Sequence, residues 1–271
     1  MAQQDDDLRD RVRERFGQRS AHYRDSTVHA SGDDLGLLVS LVAPRAGERA
    51  LDVATGAGHA ALALVRAGAW VTALDLTPAM LAETEASATS AGMTVETILG
   101  DAQELPFGDA SFDIVTARMA PHHFPAPATF LAEVARVLRP RGRFGLVDQV
   151  APEKAAAADA VNEYEAIRDA SHNRQLSVGE WERLAREAGL DVRRAEVLDK
   201  WVDFDWWTSI QNVSDEDRVR ISHLLADGPA GARAWYAPVL RDNGLIERFR
   251  IPHIALLAVK AGREAGRRAG V

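Results

Sequence analysis

The chain has 271 residues, 46% of them apolar, a net charge of −8 and no cysteine. Such a chain holds enough apolar material to bury a large core, which excludes a disordered protein, and the acidic balance without a clustered basic face argues against binding by phosphate neutralisation. The missing cysteines exclude disulfides, thiolate zinc sites and cysteine nucleophiles, and neither a signal-type apolar run within Met1 to Asp10 nor a membrane-length apolar stretch is found, so a cytoplasmic protein with no membrane span is expected.

In chain order, a charged helix over 8–18 and an apolar one over 33–43 precede the first strand, and residues 1–45 read as an N-terminal helical lid. Strands follow at 49–54, 70–75, 94–99, 112–117 and 143–148, separated by helices at 58–67, 78–91 and 127–138, so that 46–150 forms an α/β core. Strands alternating with helices imply parallel pairing and right-handed crossovers. Ala67-Gly68 and Ala91-Gly92 stop two of these helices, because glycine enters the left-handed conformation without a Cβ penalty. Thr77-Pro78 opens one helix as cap and first residue, and Phe130, Leu131, Val134, Val137 and Leu138 give the next an apolar face for the sheet. Residues 151–271 read as cap helices, a Trp-rich insertion and the last two strands of the same domain. Here a helix over 155–169 is followed by a polar loop through Arg168, His172 and Arg174, then by a capping box from Ser177 to Glu180 with Leu176 and Trp181 as its staple. That helix ends at Gly189, strands are expected over 191–202 and 245–260, and Arg263 to Arg268 read as a solvated tail. The sum is a doubly wound, mostly parallel, seven-stranded α/β sheet with a helical lid and a helical cap.

The chemistry is concentrated at the ends of the first three strands. Asp52-x-Ala54-x-Gly56-x-Gly58 runs from a strand through a tight turn into a helix, whose N-terminus favours an anion and whose glycines let a ligand touch backbone. The spacing departs from Gly-x-Gly-x-x-Gly, which disfavours a nicotinamide dehydrogenase. Asp75 ends the second strand, where a carboxylate can accept both hydroxyls of an adenosine ribose, and Asp101-Ala102 ends the third, where adenine can be held by a carboxylate and a backbone N–H. Each feature alone is as well explained by a structural turn or a helix cap. Three in order fall where open α/β sheets bind ligands.

With Leu51-Asp-Val-Ala-Thr-Gly-Ala-Gly58, Ala73-Leu-Asp-Leu-Thr-Pro-Ala-Met80, Gly100-Asp-Ala-Gln-Glu-Leu-Pro-Phe107, Ser111-Phe-Asp-Ile-Val115 and Glu133-Val-Ala-Arg-Val-Leu-Arg-Pro140, the chain resembles the class I S-adenosylmethionine-dependent methyltransferases. The resemblance is to the small-molecule branch that includes the ubiquinone and menaquinone biosynthesis enzymes, and it covers roughly residues 15–200. It implies S-adenosylmethionine as cofactor and S-adenosylhomocysteine as product, with Asp52, Ala54, Gly56 and Gly58 around the methionine part, Asp75 and Leu76 at the ribose, Asp101 and Ala102 at adenine, and Arg118 beside the sulfonium. His22, Tyr23 and His29 fall in the N-terminal segment that family members fold over the cofactor; a plain surface turn is the alternative. Two positions depart from the common pattern: Ala54 stands for the first glycine of the turn and Arg141 for a glycine of the Arg-Pro-Gly-Gly turn.

Methyl transfer asks the protein mainly for alignment and exclusion of water, and for a base only where the acceptor loses a proton. His122 and His123 follow the fourth strand, where the acceptor lies in this family; either could be that base, or could cap a helix or pack under the cap. No Asn/Asp-Pro-Pro-Tyr motif is present, which places O- or C-methylation ahead of N-methylation, and no metal is expected. Arg168, His172 and Arg174 could hold an anionic group or form a solvated loop. Trp201, Phe204, Trp206, Trp207, Trp235 and Tyr236 suit a wall for a planar or hydrophobic acceptor, with Trp201 and Trp206 as the substrate-facing candidates. The same aromatics could pack the insertion onto the sheet or onto a second copy, which leaves a homodimer open. The rival from another class is a protein that binds S-adenosylmethionine without transferring methyl, such as a sensor.

Overall fold

A computed structural model describes residues 2–24 and 32–262, with side chains from Gln3 to Gln18 and from Gly32 onward. His22, Tyr23, His29 and the basic tail from Arg263 lie outside the described side chains. The strands are β1 (Arg49–Val53), β2 (Trp70–Asp75), β3 (Glu96–Leu99), β4 (Phe112–Arg118), β5 (Leu138–Gln149), β6 (Leu190–Asp203), β7 (Val239–Leu240) and β8 (Ile246–Lys260). They form one sheet in the order β3-β2-β1-β4-β5-β8-β6, with the two-residue β7 paired to β8 beside this path. The first five are parallel, and β8 runs antiparallel to both β5 and β6.

The core of the sheet follows from its sequence. After an exposed first residue, β1 and β2 are buried throughout, as parallel strands covered by helices on both faces require. The crossovers are α3 (His59–Arg66), α4 (Pro78–Ser90) and α5 (Pro127–Val137). On α5, Phe130, Leu131, Val134 and Val137 have no exposed surface; burial of side chains of this size contributes about 1.5–3 kcal/mol each. Gly68, Gly92 and Gly189 all have positive φ, so the three helix stops read from Ala-Gly steps are made as expected.

Ahead of the sheet, α1 (Ala2–Arg24) packs against α4, and α2 (Asp33–Val42) packs on β5 and β8. Beyond it come α6 (Ala155–Arg168) and α7 (Val178–Glu187), whose capping box is formed reciprocally: Ser177 Oγ accepts from Glu180 N at 3.2 Å and Glu180 Oε2 accepts from Ser177 N at 2.8 Å. The Trp-rich insertion resolves into α8 (Phe204–Ser209), α9 (Asp215–Asp227) and α10 (Ala230–Tyr236). With α6 these helices build a second apolar cluster around Tyr164, Trp207, Tyr236 and Phe249.

Boundaries differ from the sequence reading at α1, expected over 8–18, at β3, expected over 94–99, and at β5, expected over 143–148. β5 starts at Leu138, directly after α5, and a register shift between Phe112 and Ile114 absorbs the turn that the sequence places there. Both departures from the family pattern sit in left-handed backbone, Ala54 at φ 53° and Arg141 at φ 66°, so each carries a Cβ where glycine would be relaxed.

Candidate active site

The carboxyl ends of β1 to β4 border one cleft enclosing about 1060 Å³ open to solvent, reached by Asp52, Ala54, Gly56, Asp75, Leu76, Asp101, Ala102 and Arg118. The Gly turn is built for close approach on one side and fixed on the other. A Cβ on Gly56 would meet no described atom within 4 Å, whereas one on Gly58, at φ 85°, would lie 2.9 Å from Thr84 Cγ2 of α4. Thr84 Oγ1 donates to Gly56 O at 2.7 Å and so pins the turn to that helix.

The three acids differ in their partners. Asp52 is fully buried and accepts from Thr55 Oγ1 at 2.7 Å and Thr116 Oγ1 at 2.6 Å; burial pushes its carboxyl upward against these two hydroxyls. Asp75 accepts from Gly56 N and Thr77 N, both at 2.9 Å, which ties the Gly turn to the start of α4; its burial likewise raises its pKa. Each oxygen of Asp75 accepts one backbone bond and retains a lone pair, the acceptor set that a ribose diol needs. Asp101 accepts from Gln103 N at 2.8 Å and from Arg9 Nε at 2.6 Å. Arg9, Val12 and Phe16 bring α1 across this cleft. Size, glycine cradle and acid set fit S-adenosylmethionine.

Arg118 serves two purposes. It lines the cleft and also donates through Nε to Asp34 of α2 at 2.6 Å, with Lys200 of β6 on the other carboxylate oxygen. Burial opposes ionisation of Asp34, but Arg118 and Lys200 prevail and hold its pKa down to about 2.

A second cavity adjoins the first through Phe16, Met119 and His123. His122 and His123 lie in the single 3₁₀ turn Pro121–His123 after β4, entered through Met119 at φ 55°. Asp148, near the end of β5, accepts from His122 N at 2.8 Å and from His122 Nδ1 at 2.6 Å. Nδ1 therefore carries the proton and Nε2 the lone pair. Burial would lower the pKa of His122, yet the adjacent Asp148 carboxylate more than offsets it and the net shift is upward. His123 gives Nδ1–H to Ser171 O at 2.8 Å; burial, then the neighbouring His122, push its pKa down to about 4.

Of the other substrate-facing candidates, Arg168 and Trp206 line this second cavity. Arg168 lies over the Trp207 ring, 4.3 Å from its centre. His172 packs behind His122, ring centres 5.9 Å apart, and bonds Asn162 at 2.8 Å. Trp201 is outside both cavities, half exposed in a shallow groove along β6. Arg174 pairs with Glu180 at the surface. Among the described residues no group of three or more His, Asp or Glu is placed to hold a metal, and no helix is long and apolar enough to cross a membrane.

Phe16, Arg9, Gln149, Lys200 and His253 line these cavities, and Asp148 stands buried behind His122, without having been singled out in the sequence. Asp148 carried a signal: it is an acid at the carboxyl end of a strand of the parallel core, one residue before the last of β5.

The fold and the site together define a class I methyltransferase. Residues 51–146 match the family described as methyltransferase domain. Over 247 residues the chain is 34% identical to the uncharacterized methyltransferase YcgJ of Bacillus subtilis, covering 90% of this chain and 97% of that one. The crystal structure of YcgJ superposes with a TM-score of 0.81 at 33% identity, covering 84% of this chain and 98% of that one. A second relative, the 27-O-demethylrifamycin SV methyltransferase of Amycolatopsis mediterranei, is 29% identical over 194 residues, 70% of this chain and 71% of that one. The chain belongs to this methyltransferase family.

Proposed function

We propose that the protein is an S-adenosylmethionine-dependent methyltransferase that methylates an oxygen, or else an activated carbon, of a small planar acceptor, with His122 as general base. The observation that carries this reading is the His122–Asp148 pair at the wall of the acceptor cavity, next to the junction with the cofactor cleft. The name of the Amycolatopsis relative, an O-methyltransferase by its title, agrees with it.

Bound S-adenosylmethionine supplies a methyl group on a cationic, and therefore good, leaving sulfur. Asp75 and Asp101 would hold its ribose and adenine, and the Gly56 to Gly58 turn its methionine part. The remaining requirements fall to the chain: alignment, a dry cavity and a place for the acceptor's proton. His122 Nε2 takes that proton, and the imidazolium so formed is stabilised by Asp148, which already receives Nδ1–H. His123, neutral near working pH, acts as a wall between the two cavities. Phe16 of α1 covers the junction, so the helix that closes the cofactor cleft also excludes water from the acceptor. In this reading residues 1–45 act as a lid, the acceptor is a small molecule and not a nucleic acid, and the protein works in the cytoplasm.

Calorimetric titration with S-adenosylmethionine and S-adenosylhomocysteine, followed by methyl transfer from labelled cofactor to phenols, tests the proposal. Both sulfur ligands should bind and His122→Ala should bind them equally while losing turnover. Methylation unchanged in His122→Ala would remove the base and leave methyl transfer standing.

A further inference from the structure

Gln149 is the last residue of β5, immediately after Asp148, and its side chain lines the acceptor cavity while keeping only 7% of its surface exposed. Its amide can face the cavity with either oxygen or nitrogen, and the buried groups behind it decide which. Glu165 of α6 places Oε2 against Arg168, 3.3 Å away, and its Oε1 accepts from Gln175 Nε2, also at 3.3 Å. Gln175 is fully buried; its Oε1 accepts from Tyr236 OH at 3.2 Å, and its Nε2 also donates to Gln149 Oε1 at 2.7 Å. Gln175 Nε2 thus donates both to Gln149 Oε1 and to the Glu165 carboxylate, which orients the Gln175 amide and with it that of Gln149. With its oxygen turned to Gln175, Gln149 has only Nε2–H left to offer, and no described residue accepts from it.

The other polar groups of this cavity sharpen what the donor meets. Arg168 and Lys200 add positive charge to the wall. Asp169 accepts from Ser171 N, Ser171 Oγ and Gln211 Nε2, and Gln211 Oε1 accepts from Arg15. His253 gives Nδ1–H to Ile251 O, and its Nε2 has essentially no accessible surface. Beside Gln149 the wall offers donors and positive charge, and apart from Nε2 of His122 and of His123 these polar side chains have their acceptors committed or sealed. An oxygen that only accepts suits the Gln149 end, whereas the hydroxyl of an acceptor finds its proton acceptor at His122 Nε2.

We propose that Gln149 is a specificity-determining residue that donates a hydrogen bond to a carbonyl-type oxygen of the methyl acceptor, so that the acceptor class pairs a methylatable hydroxyl with a carbonyl. The inference rests on the methyl-transfer reading for the identity of the cavity. Its test compares two probes of nearly equal size, meta-hydroxyacetophenone and meta-ethylphenol, titrated calorimetrically into protein saturated with S-adenosylhomocysteine. The ketone should bind the natural chain about ten-fold more tightly, the worth of one well-made hydrogen bond. Gln149→Leu should bind both probes alike, and Gln149→Glu, which replaces the donor with acceptors, should disfavour the ketone. Equal affinities in the natural chain, absence of ketone binding, or a ketone preference that survives in Gln149→Leu would each overturn the proposal. The comparison within the natural chain needs no variant to fold. Methylation of meta-ethylphenol, which lacks the carbonyl, reports on the enzyme reading alone: its occurrence beside equal probe affinities would sink the role of Gln149 and spare the methyltransferase.

Discussion

His122 is distinguished from His123 by what each Nδ1 touches. A carboxylate stabilises the protonated ring and makes Nε2 a stronger base; a backbone carbonyl in a buried site fixes the ring and leaves it neutral. His122→Ala should lower kcat by about 10²–10⁴-fold, the usual worth of a positioned base, with cofactor affinity unchanged. Asp148→Asn should lower kcat/KM and shift its acid limb to lower pH, because removal of the negative charge lowers the pKa that defines that limb. A pH–rate profile with the limb unmoved would show that His122 does not titrate in the reaction. At Arg141, a side chain in left-handed backbone costs roughly 1–2 kcal/mol, partly offset by the entropy that glycine loses on folding. Arg141→Gly should therefore raise stability by about 0.5–1 kcal/mol in urea titration, with activity unchanged.

At the level of elements, α1 and α2 are held to the sheet by different means. α1 reaches the cofactor cleft through the Arg9–Asp101 pair, both side chains partly exposed, whereas α2 is anchored by Asp34 buried between Arg118 and Lys200. Removing the carboxylate would leave a buried Arg118 and a partly buried Lys200 without it, so Asp34→Ala should cost about 3 kcal/mol. The sign with pH follows from the same pair. The folded pKa of Asp34, about 2, lies below its unfolded value, so this contribution is complete above about pH 4 and is lost as pH falls through 2. Acid unfolding followed by circular dichroism should begin at higher pH in Asp34→Asn than in the natural chain. The seven longer strands and the three helix stops were legible because apolar runs and Ala-Gly steps are local signals. The start of β5 at Leu138 was not, since the register shift that permits it belongs to the pairing with β4.

In the whole molecule, the division of labour between sheet ends explains which parts of the site could be read. Asp52, Asp75 and Asp101 close successive strands, so strand prediction alone brings them to one cleft. The second cavity is assembled from α1, the 3₁₀ turn, β5, α6, β6, α8 and β8, and its members meet only through tertiary packing. Gln149 and His253, far apart in sequence, are register partners across the antiparallel β5 and β8 ladder, and nothing local marks either. The aromatic insertion was read either as a wall for an acceptor or as packing, and the fold divides it: Trp206 and Trp207 line the cavity, Trp207 also packs into the cap, and Trp201 faces solvent.

The measurement that bears most directly on the central claim is calorimetric titration of the folded protein with S-adenosylhomocysteine, with NADH as control and Asp75→Ala as the variant. The account expects micromolar binding of the sulfur ligand, none of NADH, and a loss of ten-fold or more in Asp75→Ala, about the worth of a hydrogen bond to a charged group. Folded protein that binds no S-adenosylhomocysteine, or binds NADH in its place, would contradict it.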